Sequence, residues 1–434
     1  MSGASGVVER VGNGEAALLD EILTRRSIRA VYQPIVELDS GTVIAWEALA
    51  RGPRGSALEL PDKLFSAAAR RGRTVELDHC CRVAAADGAI AAGLGRQQEL
   101  FVNVEPDTAG AVVPAFLEAG SDRAQAQLRV TVEITERKLT SDPGALVNLV
   151  AHYRSRGWGI ALDDVGVDPR SVSLMPLLRP DVIKLDMSFV QQPLTRERAR
   201  IVHAVVAEAE RSGARVLAEG IETAEQALTA RTLGAELGQG WHFGRPGELR
   251  PGPDTEGAER ARATVDPADD TPYEHLSRHR PSRPGTKRQL LQMSLALEDQ
   301  ALAQGSSAVL LSTFQEAAFF PRKTQDRYAG FAERLAFVGA LAADLGAEPA
   351  YGVRGAALDP HETLLGEWDV VVLGPHFAGA FVSRDLGDQG PDHDRRFDYV
   401  VTHDRDLVAA AATRLMRRVA PRPGGRRDGL DDPE

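Results

Sequence analysis

Through the first half of the chain, short β-rich runs alternate with longer amphipathic ones, and this alternation constrains the fold more than any other feature. The β-rich runs are AVYQPIVEL (30–38), TVIAWEAL (42–49), ELFVNV (99–104), RVTVEIT (129–135), WGIALD (158–163), DVIKLD (181–186), RVLAEG (215–220) and GQGWHF (238–243). Segments between them, such as ERARIVHAVVAEAERSG, carry apolar residues at helical spacing and end at glycine, as helices do. Strands separated by helices imply a parallel sheet, and eight of them in about 220 residues predict an α/β fold, a modified (β/α)8 TIM-type barrel. Only Asp39, Ser40 and Gly41 join the first two runs. That link is of hairpin length and too short for a parallel crossover, so one antiparallel strand is expected.

The chain has 434 residues, enough for two to four domains at roughly 100 to 200 residues each. From Leu249 to Gly285 it is dense in Pro, Asp, Arg and Gly, which reads as a linker. The expected organisation is a tail at 1–14, the barrel at 15–248, the linker at 249–286, a smaller C-terminal α/β domain at 287–419 and a tail at 420–434. In that second domain KRQLLQMSLALEDQALAQG places Leu290, Met293, Leu297 and Ala301 on one helical face. A strand (SAVLLSTFQ), a long helix (RYAGFAERLAFVGALAADLG), strands around YGVRGAAL, EWDVVVLGP, GAFVSRDL and RFDYVVT, and a final helix (DLVAAAATRLMRRV) follow.

An apolar fraction of 43% with 26% charged residues is ordinary for globular domains,. The formal net charge of −11 argues against a grip on a nucleic-acid polymer or an anionic membrane,. Cys80 and Cys81 are adjacent, so they offer neither a disulfide framework nor a CxxC pair. With no basic and apolar leader and no run of about 18 apolar residues, a soluble cytoplasmic protein is expected.

Polar residues stand at or near the carboxyl ends of the apolar runs: Glu47, Asn103, Glu133, Asp163, Asp164, Lys184, Glu219 and Gln239. In a barrel of this class that end assembles the active site. One buried carboxylate can be a satisfied structural group, but several without compensation would cost many kcal/mol, and bound cations resolve this economically. Carboxylates with an amide favour hard cations such as Mg²⁺ or Mn²⁺ over zinc. Successive strand residues face opposite ways, so Asp163 can point inward while Asp164 reaches across the mouth. Such a pair can serve two ions, which suits phosphodiester hydrolysis. His79, His152, His203 and His242 have no ligand spacing and are read as packing or surface residues,.

Taken in order, Tyr32-Gln33-Pro34-Ile35, Glu47-Ala48-Leu49 with Arg51, Asn103, Glu133-Ile134-Thr135-Glu136, Asp163-Asp164, Lys184-Leu185-Asp186, Glu219-Gly220-Ile221-Glu222 and Gln239-Gly240-Trp241 resemble the EAL-domain cyclic di-GMP phosphodiesterases over about residues 15–248. The resemblance implies metal-dependent hydrolysis of cyclic di-GMP to linear pGpG by a homodimer associating through the barrel. It implies that Glu47, Asn103, Glu133 and Asp163 bind one Mg²⁺ or Mn²⁺, with Asp163 bridging or Asp164 supplying the second. Lys184 would orient a water at the metal, Glu219 would act as general base or hold water, Gln239 would position water near the phosphate, and Glu136 would brace the loop after Asp163. Gln33, Leu49 and Arg51 would contact the dinucleotide, and Asp78 would read a guanine edge.

One departure is Val165-Gly166-Val167-Asp168-Pro169-Arg170, where the family usually continues with Phe-Gly and a second glycine. Pro169 restricts its own φ and that of Asp168, which keeps open the alternative of a catalytically weak cyclic di-GMP receptor. An interaction scaffold is a third reading, but it would not need the full set of polar strand ends. In the second domain, Leu297-Glu298-Asp299, Phe314-Gln315, Arg327-Tyr328, Glu367-Trp368, Arg396-Phe397 and Thr402-His403-Asp404-Arg405 are similar to the DICT sensory domain. That implies regulation by an unknown ligand or protein. Trp368 and Phe314 are read as core aromatics.

Overall fold

A computed structural model describes residues 4–105, 115–136, 139, 142–251, 262 and 270–420, with side chains from Gly14 onward and not for 115–119. Eight strands close into a barrel in sequence order: β1 (Arg29–Glu37), β2 (Val43–Arg51), β3 (Glu99–Asn103), β4 (Arg129–Thr135), β5 (Gly159–Val165), β6 (Val182–Leu185), β7 (Arg215–Ala218) and β8 (Leu237–Gln239). Strand β1 runs antiparallel to both neighbours, β2 and β8, and all other pairings are parallel. The expected single antiparallel strand is therefore β1.

Ile35, Ala45, Phe101, Ala161, Val182, Leu217 and Leu237 form a buried layer from seven of the strands. Because strand side chains alternate with period two, the next residues on the same face are Glu47, Asn103, Asp163, Lys184, Glu219 and Gln239. Strand β1 runs the other way, so there the equivalent position precedes Ile35 and is Gln33. These residues thus form one polar layer directly above an apolar floor.

Several expected boundaries differ. The strand expected at 238–243 ends at Gln239. Gly240 turns the chain at φ +156°, where a Cβ would lie 2.0 Å from the Ile221 carbonyl oxygen, so only glycine fits. The 1–14 tail is overtaken by a helix spanning Ala4–Arg25, anchored by buried Leu19, Ile22 and Leu23.

The predicted linker is cut short as well. A helix runs over Pro272–His279, and β9 (Arg283–Thr286) is a sheet strand. Thr271 caps that helix in a reciprocal capping box with Glu274, with Pro272 in its first turn and Tyr273 and Leu276 buried. The high charge of this stretch hides a short amphipathic helix with a good cap. The remaining linker residues, apart from 249–251, 262 and 270, and the tail from 421, lie outside the described residues.

The chain divides into two compact bodies. The first holds 1–135, 149–165 and 179–265, and the second 136–148, 166–178 and 266–434. The second body contains a seven-stranded sheet ordered β12-β11-β10-β13-β14-β15-β9, with β10 (Val309–Glu316), β11 (Phe337–Ala343), β12 (Arg354–Ala357), β13 (Val370–Leu373), β14 (Ala378–Asp385) and β15 (Arg396–Thr402). The long helix expected from Arg327 stops at Ala332, and its second half is strand β11. FVGALAA is buried almost throughout, and a continuous apolar run of this length suits a buried parallel strand as well as a helix. Trp368 and Phe314 pack against the core of this sheet. Among the described residues no helix is long and apolar enough to cross a membrane.

Candidate active site

Lys184 is the centre of the polar layer. Its Nζ lies 2.6 Å from Glu133 Oε1, 2.8 Å from Asp163 Oδ1, 2.8 Å from Glu219 Oε1 and 3.9 Å from Glu47 Oε2, with only 1% of its side chain exposed. Four carboxylates thus surround one ammonium. Glu47 also accepts hydrogen bonds from Asn103 Nδ2 at 3.1 Å and Gln239 Nε2 at 2.5 Å. Register explains the gathering: Asn103 lies beside Glu133, Thr135 beside Asp163, and Gln33 beside Glu47.

The excess of negative charge has clear electrostatic consequences. Burial pushes the Glu219 carboxyl up to about 8, with Lys184 opposing and Asp163 and Glu47 adding to the rise. Burial, then the Glu47 carboxylate, holds Glu133 well above the usual carboxylate range against the pull of Lys184. For Glu47, burial acts upward but is outweighed by Lys184 and the bonds from Gln239 and Asn103, so its pKa is lowered. Burial would lower the Lys184 pKa, yet Asp163, Glu133, Glu219 and Glu47 drive it well above the ordinary lysine value.

Asp163, Asp164 and Glu219 each offer an oxygen within 4.8 Å of the others. Asp164 adopts φ +58°, a left-handed conformation that aspartate tolerates better than most residues. It lies within an irregularity in the β5–β6 register between Leu162 and Val165. Glu133 Oε2 and Gln239 Oε1 are buried without a hydrogen-bond partner. Buried oxygens lacking donors, in an all-oxygen set, fit a hard divalent cation.

A cleft of about 370 Å³ reaches this layer at Glu47 and Asn103 and is also lined by Leu49, Arg51 and Asp78. Gln33 is not among its lining residues, and its Nε2 donates to the Gly244 carbonyl at 3.1 Å. Asp78 is buried, accepts from the Glu105 amide at 3.1 Å and pairs with Arg82 at 2.7 Å. Sequence reasoning missed Asp62, Phe65 and Cys81, which also line the cleft. The spacing of Asp62 and Phe65 on one helix after Pro61 is a faint signal in retrospect.

Glu136 begins the second body. It accepts hydrogen bonds from the Gly166 amide at 2.8 Å, from the Asp168 amide at 2.5 Å and from the Ser171 hydroxyl at 2.6 Å. Its carboxylate thus ties together the segment that follows the paired aspartates.

Comparison with known proteins bears on the family. Residues 273–386 match the model described as "Sensory domain in DIguanylate Cyclases and Two-component system". The probable cyclic di-GMP phosphodiesterase PdeB of Escherichia coli (strain K12) is 32% identical over 232 residues, 52% of this chain and 44% of that protein. The cyclic di-GMP phosphodiesterase RocR of Pseudomonas aeruginosa is 31% identical over 229 residues, 52% of this chain and 58% of that protein. The chain therefore spans about half the length of these curated relatives. A solved structure, the Klebsiella pneumoniae BlrP1 pH 9.0 manganese/cy-diGMP complex, is 30% identical, covers 51% of this chain and 56% of that chain, and has a TM-score of 0.46. Residues 15–246, more than half of the chain, match the EAL domain model, and the chain belongs to the EAL domain family.

Proposed function

We propose that this chain hydrolyses one phosphodiester bond of cyclic di-GMP to give linear pGpG, with Mg²⁺ or Mn²⁺ as cofactor. The observation that carries the reading is the convergence of four carboxylates on Lys184, with buried oxygens of Glu133 and Gln239 left without donors. The substrate is suggested by the names of the relatives PdeB and RocR.

Glu47, Asn103, Glu133, Asp163 and Asp164 would hold two ions, which when bound supply charge neutralisation at the phosphate and a more acidic water. Leu49, Arg51 and Asp78 line the cleft that would receive the dinucleotide, and Gln33, outside that lining, would contact the dinucleotide from β1. Glu219, whose Oε1 lies 2.8 Å from Lys184 Nζ, accepts the proton of the attacking water as general base. Lys184 and Gln239 orient that water. The new bond joins the water oxygen to phosphorus, the bond from phosphorus to the ribose 3′ oxygen breaks, and that oxygen takes up a proton as the ring opens. Glu136 keeps the segment after Asp164 in place.

The proposal extends to a homodimer through the barrel, a cytoplasmic setting in which both cysteines stay free, and regulation by the C-terminal domain. The receptor reading draws on Pro169 in the altered loop. Purified protein incubated with cyclic di-GMP and Mg²⁺ or Mn²⁺, with products resolved by chromatography, tests both: pGpG release supports hydrolysis, and tight binding without product supports the receptor.

A further inference from the structure

The segment after the paired aspartates belongs to the same compact body as the C-terminal domain. Within that body the 3-10 turn Ser171–Ser173 lies beside the turn Gly305–Ser307, and the short helix Met175–Leu178 lies beside the helix Arg405–Met416. Ser173 donates its hydroxyl proton to the Ser307 carbonyl oxygen. Ser171, Ser173, Leu174, Met175 and Leu178 are buried.

A second segment takes part. Gly144 stands in the first turn of the helix Pro143–Ser155, and a Cβ there would lie 2.8 Å from the Met416 carbonyl oxygen and 3.2 Å from that of Val419. The end of the helix Arg405–Met416 therefore closes on a position that admits only glycine without a shift. Glu136 grips the loop through Gly166, Asp168 and Ser171, while residues 305–307 and the helix Arg405–Met416 support the turn and helix that follow.

We propose that residues 305–307 and 405–419 of the C-terminal domain form a seat that positions the loop 166–178, and through it Asp163 and Asp164. Two physical points carry this. Only Val165 separates Asp164 from Gly166, so a displacement of the loop passes directly along the backbone to the aspartates. Asp164 holds a positive φ, a conformation that persists only where its surroundings over-determine it. Ser173, Gly144 and Ser307 are positioning residues. The catalytic consequence rests on the proposed phosphodiesterase function, whereas the seat itself does not.

The test uses the full chain with Ser173→Ala, which removes the hydroxyl, and Gly144→Val, which pushes the end of the helix Arg405–Met416 away. Hydrogen exchange at the Gly166 and Asp168 amides should speed up about tenfold or more, while the amides of β10 and β13 stay protected. Mn²⁺ affinity by calorimetry should weaken, and the kcat for cyclic di-GMP should fall about fivefold to a hundredfold with KM little changed. Unchanged exchange at Gly166 and Asp168 in Gly144→Val overturns the seat, and so does faster exchange with Mn²⁺ affinity intact. A wild-type protein without turnover refutes the proposed function and leaves exchange and calorimetry to decide the seat.

Discussion

Lys184 Nζ and Glu219 Oε1 lie 2.8 Å apart in a site where the lysine is almost wholly buried. The pair joins the group we assign as proton acceptor to the ammonium around which all four carboxylates gather. Removing either partner changes a different property, so the two are separable by substitution.

Glu219→Gln is expected to bind cyclic di-GMP with near wild-type affinity and to hydrolyse it orders of magnitude more slowly, because an amide cannot accept the proton. Calorimetric titration beside a product assay checks this. Loss of affinity together with turnover would make Glu219 chiefly structural.

Glu47→Ala and Asp163→Ala are each expected to abolish hydrolysis, since each removes an oxygen proposed to hold an ion that stabilises developing charge. Wild-type turnover in either variant at saturating Mn²⁺ refutes the metal assignment.

Lys184→Met leaves four carboxylates facing one another without their ammonium. Breaking a buried charge pair costs about 3–5 kcal/mol, so the metal-free variant should melt well below wild type. Added Mn²⁺ should recover a larger part of that loss than it adds to wild type, because the ions and the ammonium answer the same excess charge. Equal melting temperatures without metal would contradict the electrostatic account.

In the second domain Glu367 and Asp369 are both buried. Burial pushes the Glu367 carboxyl up to about 7 against bonds from the Thr271 hydroxyl and the Tyr273 amide at 3.1 Å. Burial, then the Glu367 charge, raises Asp369 as well. A raised folded-state pKa means the stabilisation is complete below the unfolded value near 4.5 and is lost as pH climbs through about 7,. The domain should therefore be more stable at acid than at alkaline pH over that window, with a slope of up to about 1.4 kcal/mol per pH unit. Glu367→Gln should flatten the slope in denaturant melts at a series of pH values, and an unchanged slope would assign the effect elsewhere.

Much of the barrel was legible in the chain itself. Period-two runs ending in Glu47, Asn103, Glu133, Asp163, Lys184, Glu219 and Gln239 are a local pattern, and strand geometry sends each such residue to the same face as the residue two before it, which is apolar for all but Glu133, where it is Thr131. The three-residue link from Asp39 to Gly41 likewise dictated the antiparallel β1, because no crossover fits in that length. Tertiary structure alone decided what depends on contacts distant along the chain. Lys184 sits at the centre of the acids because the register of β4, β5, β6 and β7 brings Glu133, Asp163 and Glu219 to it while β2 supplies Glu47, and pairing register is not written in any one strand. FVGALAA became strand β11 because β10 and β12 flank it, where its local pattern fits a helix equally well. The segment 166–178 fell in with the C-terminal body for the same reason: Ser173 and Ser307 are 134 residues apart, and only the folded chain brings them together.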